Sequence, residues 1–346
     1  MTMKSHVLAA ACACAASAAL AQTANPVTLY GRVYAMFESV EADGGTTPVA
    51  RRNRVSNRLS LIGVRGTEDL GGGLKAFFQL ETDFSPDSAS GTFATRNSGV
   101  GIQSSWGSVI MGRWDTPFKA AHAAIVDPFE NNSLADITGV TLNQGNFSRR
   151  EPNTVQYWSP NWNGFSMRAH YSANEGKTAV ANPYLYSVSA TYRAGNLYAS
   201  YAWEKHFDQN GATVAAGIDE EGNVVSASYD LRGVKLFGQY GEYKKTSTKT
   251  QKSYLAGASW TLGKHVLLGS YQNSKNGGAT TAAQQPECDL VGVGYRYDFT
   301  KRTSLVAEYV KVSNDVGNLC NFGTIPLTIT AGQDPVGIAI GARHVF

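Results

Sequence analysis

Val336-Gly337-Ile338-Ala339-Ile340-Gly341-Ala342-Arg343-His344-Val345-Phe346 ends on an aromatic residue, and its alternation decides the fold. Counting back from Phe346, the residues His344, Ala342, Ile340, Ile338 and Val336 are apolar or amphipathic. The other set is Val345, Arg343, Gly341, Ala339 and Gly337. In a strand these two sets point to opposite faces. A strand that runs to the last residue must pair with something, and a barrel needs its last strand to close on its first.

The same period of two recurs upstream. Leu29, Gly31, Val33, Ala35 and Phe37 oppose Tyr30, Arg32, Tyr34 and Glu38. Ala76, Phe78, Leu80 and Phe84 oppose Lys75, Gln79, Glu81 and Asp83, and Leu305, Ala307 and Tyr309 oppose Ser304 and Glu308. Such segments read as strands with one apolar and one polar face. Tight Gly- and Asn-rich turns, as at 66–73, Ser105-Trp106-Gly107 and Asn161-Trp162-Asn163-Gly164, alternate with long polar connections. The long connections fall near 40–52, 85–96, 116–150, 174–183, 207–222, 245–250, 275–287 and 314–334. Seven tight turns and eight long loops imply 16 strands with both termini on the tight-turn side. That is the pattern of an all-β, antiparallel transmembrane barrel with short periplasmic turns and long extracellular loops.

Period two alone also fits a soluble β-sandwich or propeller, in which the apolar face makes a core. Three features favour the membrane. Residues 1–21 read as a secretory signal: Lys4 and His6, an Ala-rich apolar stretch, then Ala19-Leu20-Ala21 before Gln22. Tyr171, Tyr192, Tyr201, Trp203, Tyr240, Tyr271 and Tyr309 lie near the ends of apolar faces, as in an interfacial girdle. The third is Phe346 itself. Beyond residue 21 no apolar run approaches the 18 or so residues of a spanning helix, so a helical bundle of spans is excluded. Residues 22–346 read as one barrel domain.

Cys12 and Cys14 leave with the leader, and Cys288 and Cys320 remain in an exported chain. A disulfide between two loops and a pair of thiols are the alternatives there. A formal charge of +3 is too balanced for a nucleic-acid partner. No cofactor or metal site is expected, because His6, His122, His170, His206, His265 and His344 show no metal-type pairing. There is no Gly-x-Ser-x-Gly elbow, and Gly71-Gly72-Gly73-Leu74-Lys75 precedes a strand and lacks phosphate-loop spacing, so an enzyme is not expected.

Several stretches resemble the Gram-negative general porins of β-proteobacteria, the neisserial-type trimeric family. They include Val27-Thr28-Leu29-Tyr30-Gly31, Asn57-Arg58-Leu59-Ser60-Leu61-Ile62-Gly63-Val64-Arg65-Gly66, and its continuation to Glu81. Trp106 to Arg113, Asn153 to Pro160, Ser304 to Tyr309 and Gly341 to Phe346 complete the set, in order along nearly the whole mature chain. The resemblance implies a homotrimeric, multi-pass outer-membrane channel among lipid and lipopolysaccharide, passing ions and small hydrophilic solutes by diffusion. It also implies a third loop folded into the lumen, which agrees with 116–150 being the longest connection. A loop that long is expected to be functional. A terminal aromatic such as Phe346 looks like the signal read by the assembly machinery.

If the apolar faces meet lipid, Arg32, Arg54, Arg58, Lys75, Glu81 and Arg113 line the lumen by strict alternation, and Arg58 and Arg113 match arginines of the family's pore wall. The in-folded loop supplies Asp127, Glu130 and Asp136, with Asp127-Pro128-Phe129-Glu130 resembling the acidic turn of porin constriction loops. A basic wall facing an acidic loop sets up a transverse field that selects ions. The alternative is plain ion pairing, such as Arg32 with Glu81. Arg65, Glu68 and Asp69 read as turn chemistry. Many relatives carry an arginine and an aspartate where this chain has Gln156 and Trp158. Trp158 reads as a packing residue near a periplasmic turn, with a stacking surface for a sugar or aromatic solute as the alternative. A substrate-selective porin for an organic acid or sugar is the second functional reading, and a barrel enzyme or adhesin the third.

Overall fold

The computed structural model describes residues 27–45, 47–122, 125–130, 132–141, 146–246, 248, 250–275 and 287–346. The expected leader 1–21 lies outside the described residues. The rest forms a closed antiparallel barrel of 16 strands. They are β1 Val27–Gly44, β2 in two pieces Val49–Asn57 and Leu61–Gly71, β3 Leu74–Ser85, β4 Ser98–Ser104, β5 Gly107–Asp115, β6 Arg150–Trp158, β7 Phe165–Ser172 and β8 Tyr184–Ala194. The second half is β9 Leu197–Phe207, β10 Glu220–Leu231, β11 Val234–Lys245, β12 Gln251–Leu262, β13 His265–Lys275, β14 Glu287–Asp298, β15 Thr303–Asn314 and β16 Gln333–Val345. Each strand pairs with its successor, and β16 pairs with β1.

The exposed face of this sheet is the apolar one. Val33, Phe37, Val291, Val293, Ile338 and Ile340 are exposed, while Glu38, Ser189, Gln272 and Glu308 on the opposite face are buried. A soluble sandwich would show the reverse, so the outward band belongs to hydrocarbon. Tyr192, Tyr201, Tyr271 and Tyr309 stand exposed on that band, where ring edges can meet headgroups. No helix among the described residues is long and apolar enough to cross a membrane.

The seam runs from Arg32 opposite Val345 to Gly44 opposite Gln333. It therefore lies further along β1 than residues 27–38, because the stagger of a barrel leaves Val27 to Tyr30 paired with β2 alone, beyond the end of β16. Gly31 and Phe346 exchange both backbone bonds, at 3.1 and 3.0 Å. The Phe346 ring covers Gly31: a Cβ there would stand 2.6 Å from Phe346 Cζ and 2.6 Å from the Leu61 carbonyl. Ile338, Ile340, Ala342 and His344 face outward and Arg343 inward.

Strand β2 breaks at residues 58–60. Arg58 N donates to Tyr34 O at 2.8 Å, but the Tyr34 N–H is taken by Ser60 Oγ at 3.0 Å instead of by backbone. Leu59 adopts a left-handed φ of 57° between them, a costly conformation for a branched side chain. The break tips Arg58 beneath the loops.

The interior is not uniformly wet. One apolar cluster joins Met36 and Val40 of β1, Leu290 of β14 and Val310 of β15 to Phe129, Leu134 and Phe322 from loops. A second joins Phe118, Ile137 and Phe147 to Ala202, Val224, Tyr243 and Leu255. Both clusters lie inside the barrel. We expect Gly31→Ala to cost about 1–3 kcal/mol through overpacking at the seam, lowering the compact, heat-modifiable band on unheated gels. Gly269→Ala, whose added Cβ meets nothing within 4 Å, should leave that band intact.

Candidate functional site

The third long loop enters the lumen through α1, Pro117–His122. Proline suits the first helical position, and the Thr116 side chain caps Lys119 N at 3.3 Å. Phe118 N donates to Ser187 Oγ on β8 at 3.0 Å, and Ala121 O accepts from the Tyr198 hydroxyl and from Ser200 Oγ at 3.2 Å on β9. His122 is buried, and burial followed by Lys119 pushes its pKa down to about 3. It is a neutral packing residue, in T-shaped contact with Phe118.

The far limb of the loop lies on β12 to β16. Leu134 N donates to Glu308 Oε1 at 3.0 Å, and Gln272 Nε2 donates to Ala135 O at 2.6 Å. Inward glycines leave room for it: a Cβ on Gly294 would meet Phe129, and one on Gly337 would meet Leu134, both at 2.8 Å. The tip is held by Glu130, which accepts from Arg296 at 2.8 Å and from Arg343. Burial alone would raise the Glu130 pKa, but Arg343 and Arg296 outweigh it and hold the group below the usual carboxylate range.

The other two loop acids shape the loop. Asp127 accepts from Phe129 N at 2.8 Å and Ile137 N at 3.2 Å. Asp136 accepts from Thr138 N at 2.9 Å and from the Thr138 and Thr324 hydroxyls; burial raises its pKa despite these bonds. Of the three acids, Glu130 is the one that meets basic wall residues, Arg296 and Arg343.

Beside the loop lies a water-accessible cavity of about 760 Å³. Its cations are Arg32, Arg96, Lys119, Arg150, Lys235 and Arg296; its acids are Glu81, Asp83, Asp115, Asp127 and Glu130. Most are paired. Arg96 meets Glu81 at 2.6 Å, Arg150 and Lys119 share Asp115 at 3.0 and 3.1 Å, and Arg296 holds Glu130. Arg32 bonds only neutral acceptors, Leu59 O at 2.7 Å and Asn132 Oδ1 at 2.8 Å. Lys235 sits 4.9 Å from the centre of the Phe237 ring. Further lumenal recesses carry Arg65 on one side and Arg168 with Arg193 on another. Among the described residues, none of Arg32, Arg65, Arg168, Arg193 and Lys235 joins an ion pair. On the acidic side Asp83 accepts from the Thr95 hydroxyl and joins none either.

The residues singled out by alternation and by the in-folded loop thus divide. Arg32, Glu81, Asp127 and Glu130 line the cavity. Arg54 points inward but pairs with Glu38 at 2.6 Å and gives its other nitrogen to Ile325 O at 2.6 Å. Arg58 departs from expectation: it is fully buried, bound to Glu38, 3.7 Å from Glu308, and donates to Thr324 O at 3.0 Å. The break in β2 carries it under the loops and away from water. Arg113 does not line the cavity: it shares the side of β5 with exposed Met111, opposite buried Ile110 and Trp114, and its Nε bonds Thr95 O at 2.8 Å. Lys75 stands at the tight-turn rim, outside the cavity. Arg65 is lumenal, 5.0 Å from the Tyr30 ring, and so is not confined to turn chemistry. Arg96, Arg150, Lys119, Lys235 and Arg296 were the wall residues not singled out. Arg296 alone had a signal, on the polar face of its segment. Cys288 and Cys320 are joined as a disulfide, Cα–Cα 6.3 Å, tying the start of β14 to the loop before β16.

Comparison with known proteins comes to the same architecture. Residues 7–317 match the family described as Gram-negative porin. The chain is 29% identical over 331 residues to major outer membrane protein P.IB of Neisseria gonorrhoeae, covering 87% of this chain and 91% of that one. It is 29% identical over 365 residues to outer membrane porin protein 32 of Delftia acidovorans, covering 99% and 100%. Among solved structures, an anion-selective porin from Comamonas acidovorans superposes with a TM-score of 0.80 at 26% identity, covering 93% of this chain and 100% of that one. OmpT of Vibrio cholerae shares the fold, at TM-score 0.70 and 17% identity over 94% of this chain and 98% of that one.

Two outcomes test this geometry. Removing Arg58 leaves Glu38 and Glu308 buried without it, so Arg58→Ala should cost about 3–5 kcal/mol, read as a lower denaturant midpoint. The Glu130 tie is intact above the ordinary carboxylate range and is lost only as pH falls through its lowered pKa. Open-channel noise should therefore stay flat down to the ordinary glutamate range and rise below it, and Glu130→Gln should show the raised noise at neutral pH.

Proposed function

The chain belongs to the Gram-negative porin family, and from that premise we propose that its pore prefers small anions. As a porin it is an outer-membrane channel for passive diffusion. The observation that carries the preference is the set of five lumenal basic side chains, Arg32, Arg65, Arg168, Arg193 and Lys235, that join no ion pair among the described residues. A paired charge presents a dipole to a passing ion, whereas an unpaired one presents its full charge within a Debye length of about 8–10 Å. The likeness to a porin described as anion-selective supports the same sign.

Residues 1–21 act as the export leader, Phe346 is read during insertion, and three copies associate through outward apolar faces near both termini, such as Val33, Phe37, Ile338 and Ile340. Glu130, held by two arginines, keeps the loop tip against the wall so that the aperture stays constant.

Planar-bilayer recording in a potassium chloride gradient tests the preference. The reversal potential should take the sign of chloride permeation, with large ohmic steps. Arg32→Gln and Lys235→Gln should each lower the anion-to-cation permeability ratio about twofold, the effect on both ions of one unit charge about 8 Å away through water, screened over about one Debye length. A cation-side potential in the unaltered protein would sink the proposal.

A further inference from the structure

Toward the tight-turn rim lies a second lumenal recess of about 420 Å³ that has no carboxylate in its lining. Its floor is aromatic. Phe77 and Trp158 are stacked with ring centres 6.1 Å apart and planes at 29°, and Trp114 meets Trp158 at 5.3 Å. Phe77 and Trp158 keep part of their surface open. The sequence makes room for the floor: a Cβ on Gly101, whose place in β4 faces Phe77, would stand 2.5 Å from Phe77 Cζ. The indole N–H of Trp158 is spent on Gln156 Oε1, and the Arg168 guanidinium lies 5.3 Å from its ring centre. The hydrogen-bonding edge is thus satisfied within the wall.

Aromatic rings on the wall of a water-filled channel lose free energy to hydration unless something covers them. The polar groups beside the floor say what would. Arg65 is exposed and joins no ion pair, and the exposed side chain of Gln103 makes no hydrogen bond among the described residues. Gln79 gives its amide N–H to Asn97 O at 2.9 Å and keeps its oxygen. A sugar offers many hydroxyl donors and calls for several acceptors, carboxylates above all, and no carboxylate lines this recess. A flat ring bearing one carboxylate matches both parts, with stacking below and a charge-assisted guanidinium pair at the side.

We propose that this recess is a transient docking subsite for small aromatic carboxylates of the benzoate class. The ring lies against Phe77 and Trp158, and the carboxylate pairs with Arg65. The inference deepens the anion-preferring reading and rests on it. About 150 Å³ suffices for a benzene ring, so a bound guest leaves room for ions and obstructs the current only in part.

The test is current through the reconstituted porin in potassium chloride as sodium benzoate is titrated, with acetate and benzyl alcohol as comparators. Benzoate should give saturable partial block, and acetate and benzyl alcohol none at equal concentration. Arg65→Gln should raise the half-blocking concentration about tenfold, as loss of a charge-assisted bond does. Trp158→Leu should raise it several-fold, as loss of a stacked ring does. Channel openings in chloride confirm a folded barrel in each variant, and if Trp158→Leu does not fold, the exposed Arg65 carries the test. Benzoate passing as linearly as acetate, or block unchanged in Arg65→Gln, would overturn the subsite. A cation-side reversal potential in chloride alone overturns the anion preference, so the two failures are told apart.

Discussion

Hydrocarbon contains no partner for a backbone N–H, and this one constraint organises the molecule. An antiparallel sheet can meet it only by having no edge, so β16 must find β1, and with 16 strands the enclosed space is wide. Everything inside the wall is a response to that width. The outward set is left apolar against lipid, and the inward set must hold water, hold a loop, or do each in different places.

This barrel does each in different places. Across β12 to β16 and β1 the inner face carries glycines and aliphatic residues against which the third loop rests, so that sector is a dry core between wall and loop. Glu38, Arg58 and Glu308 lie within it. Such a buried group contributes little net stability compared with an apolar filling, yet breaking one member is costly. Its geometric effect is to fix where the loop and the break in β2 meet. A second dry patch seats the loop against β9 to β12, and the charged cavity runs between loop and wall, with Arg32 and Arg296 at its side. Of the acids of the loop, Asp127 and Asp136 bend its backbone, and Glu130 is bound between two arginines at the edge of the cavity.

How far this could be read from residue order follows from the same division. Period two counts residues, so it located the strands, their number and the end-to-end seam, and the resemblance to porins supplied the in-folded loop. Counting fails where the chain inserts a residue. At the bulge opposite Arg113 the extra residue sits in β6, so Thr154 and Glu151 are both buried, while Arg113 on β5 shares the side of exposed Met111. At Arg58 the ladder breaks, and an arginine on the nominally wet face ends beneath loops. Arg96 lies in a loop with no alternation to place it. Alternation names an inner face without saying whether water or protein lies against it, and that distinction decides between a selectivity charge and a structural one.

The closing strand has a second duty. Gly337 and Arg343 on β16 seat Leu134 and hold Glu130, so the wall that seals the sheet also receives the filler of the pore. Aperture and closure therefore fail together. A chain cut before β16 would lack the contacts that narrow the channel, but it would also lack a continuous wall, and so could not stand in the membrane as a wide, unguarded hole. For a cell that depends on its outer barrier, the placement of the loop's anchor on the last strand works as a fail-safe.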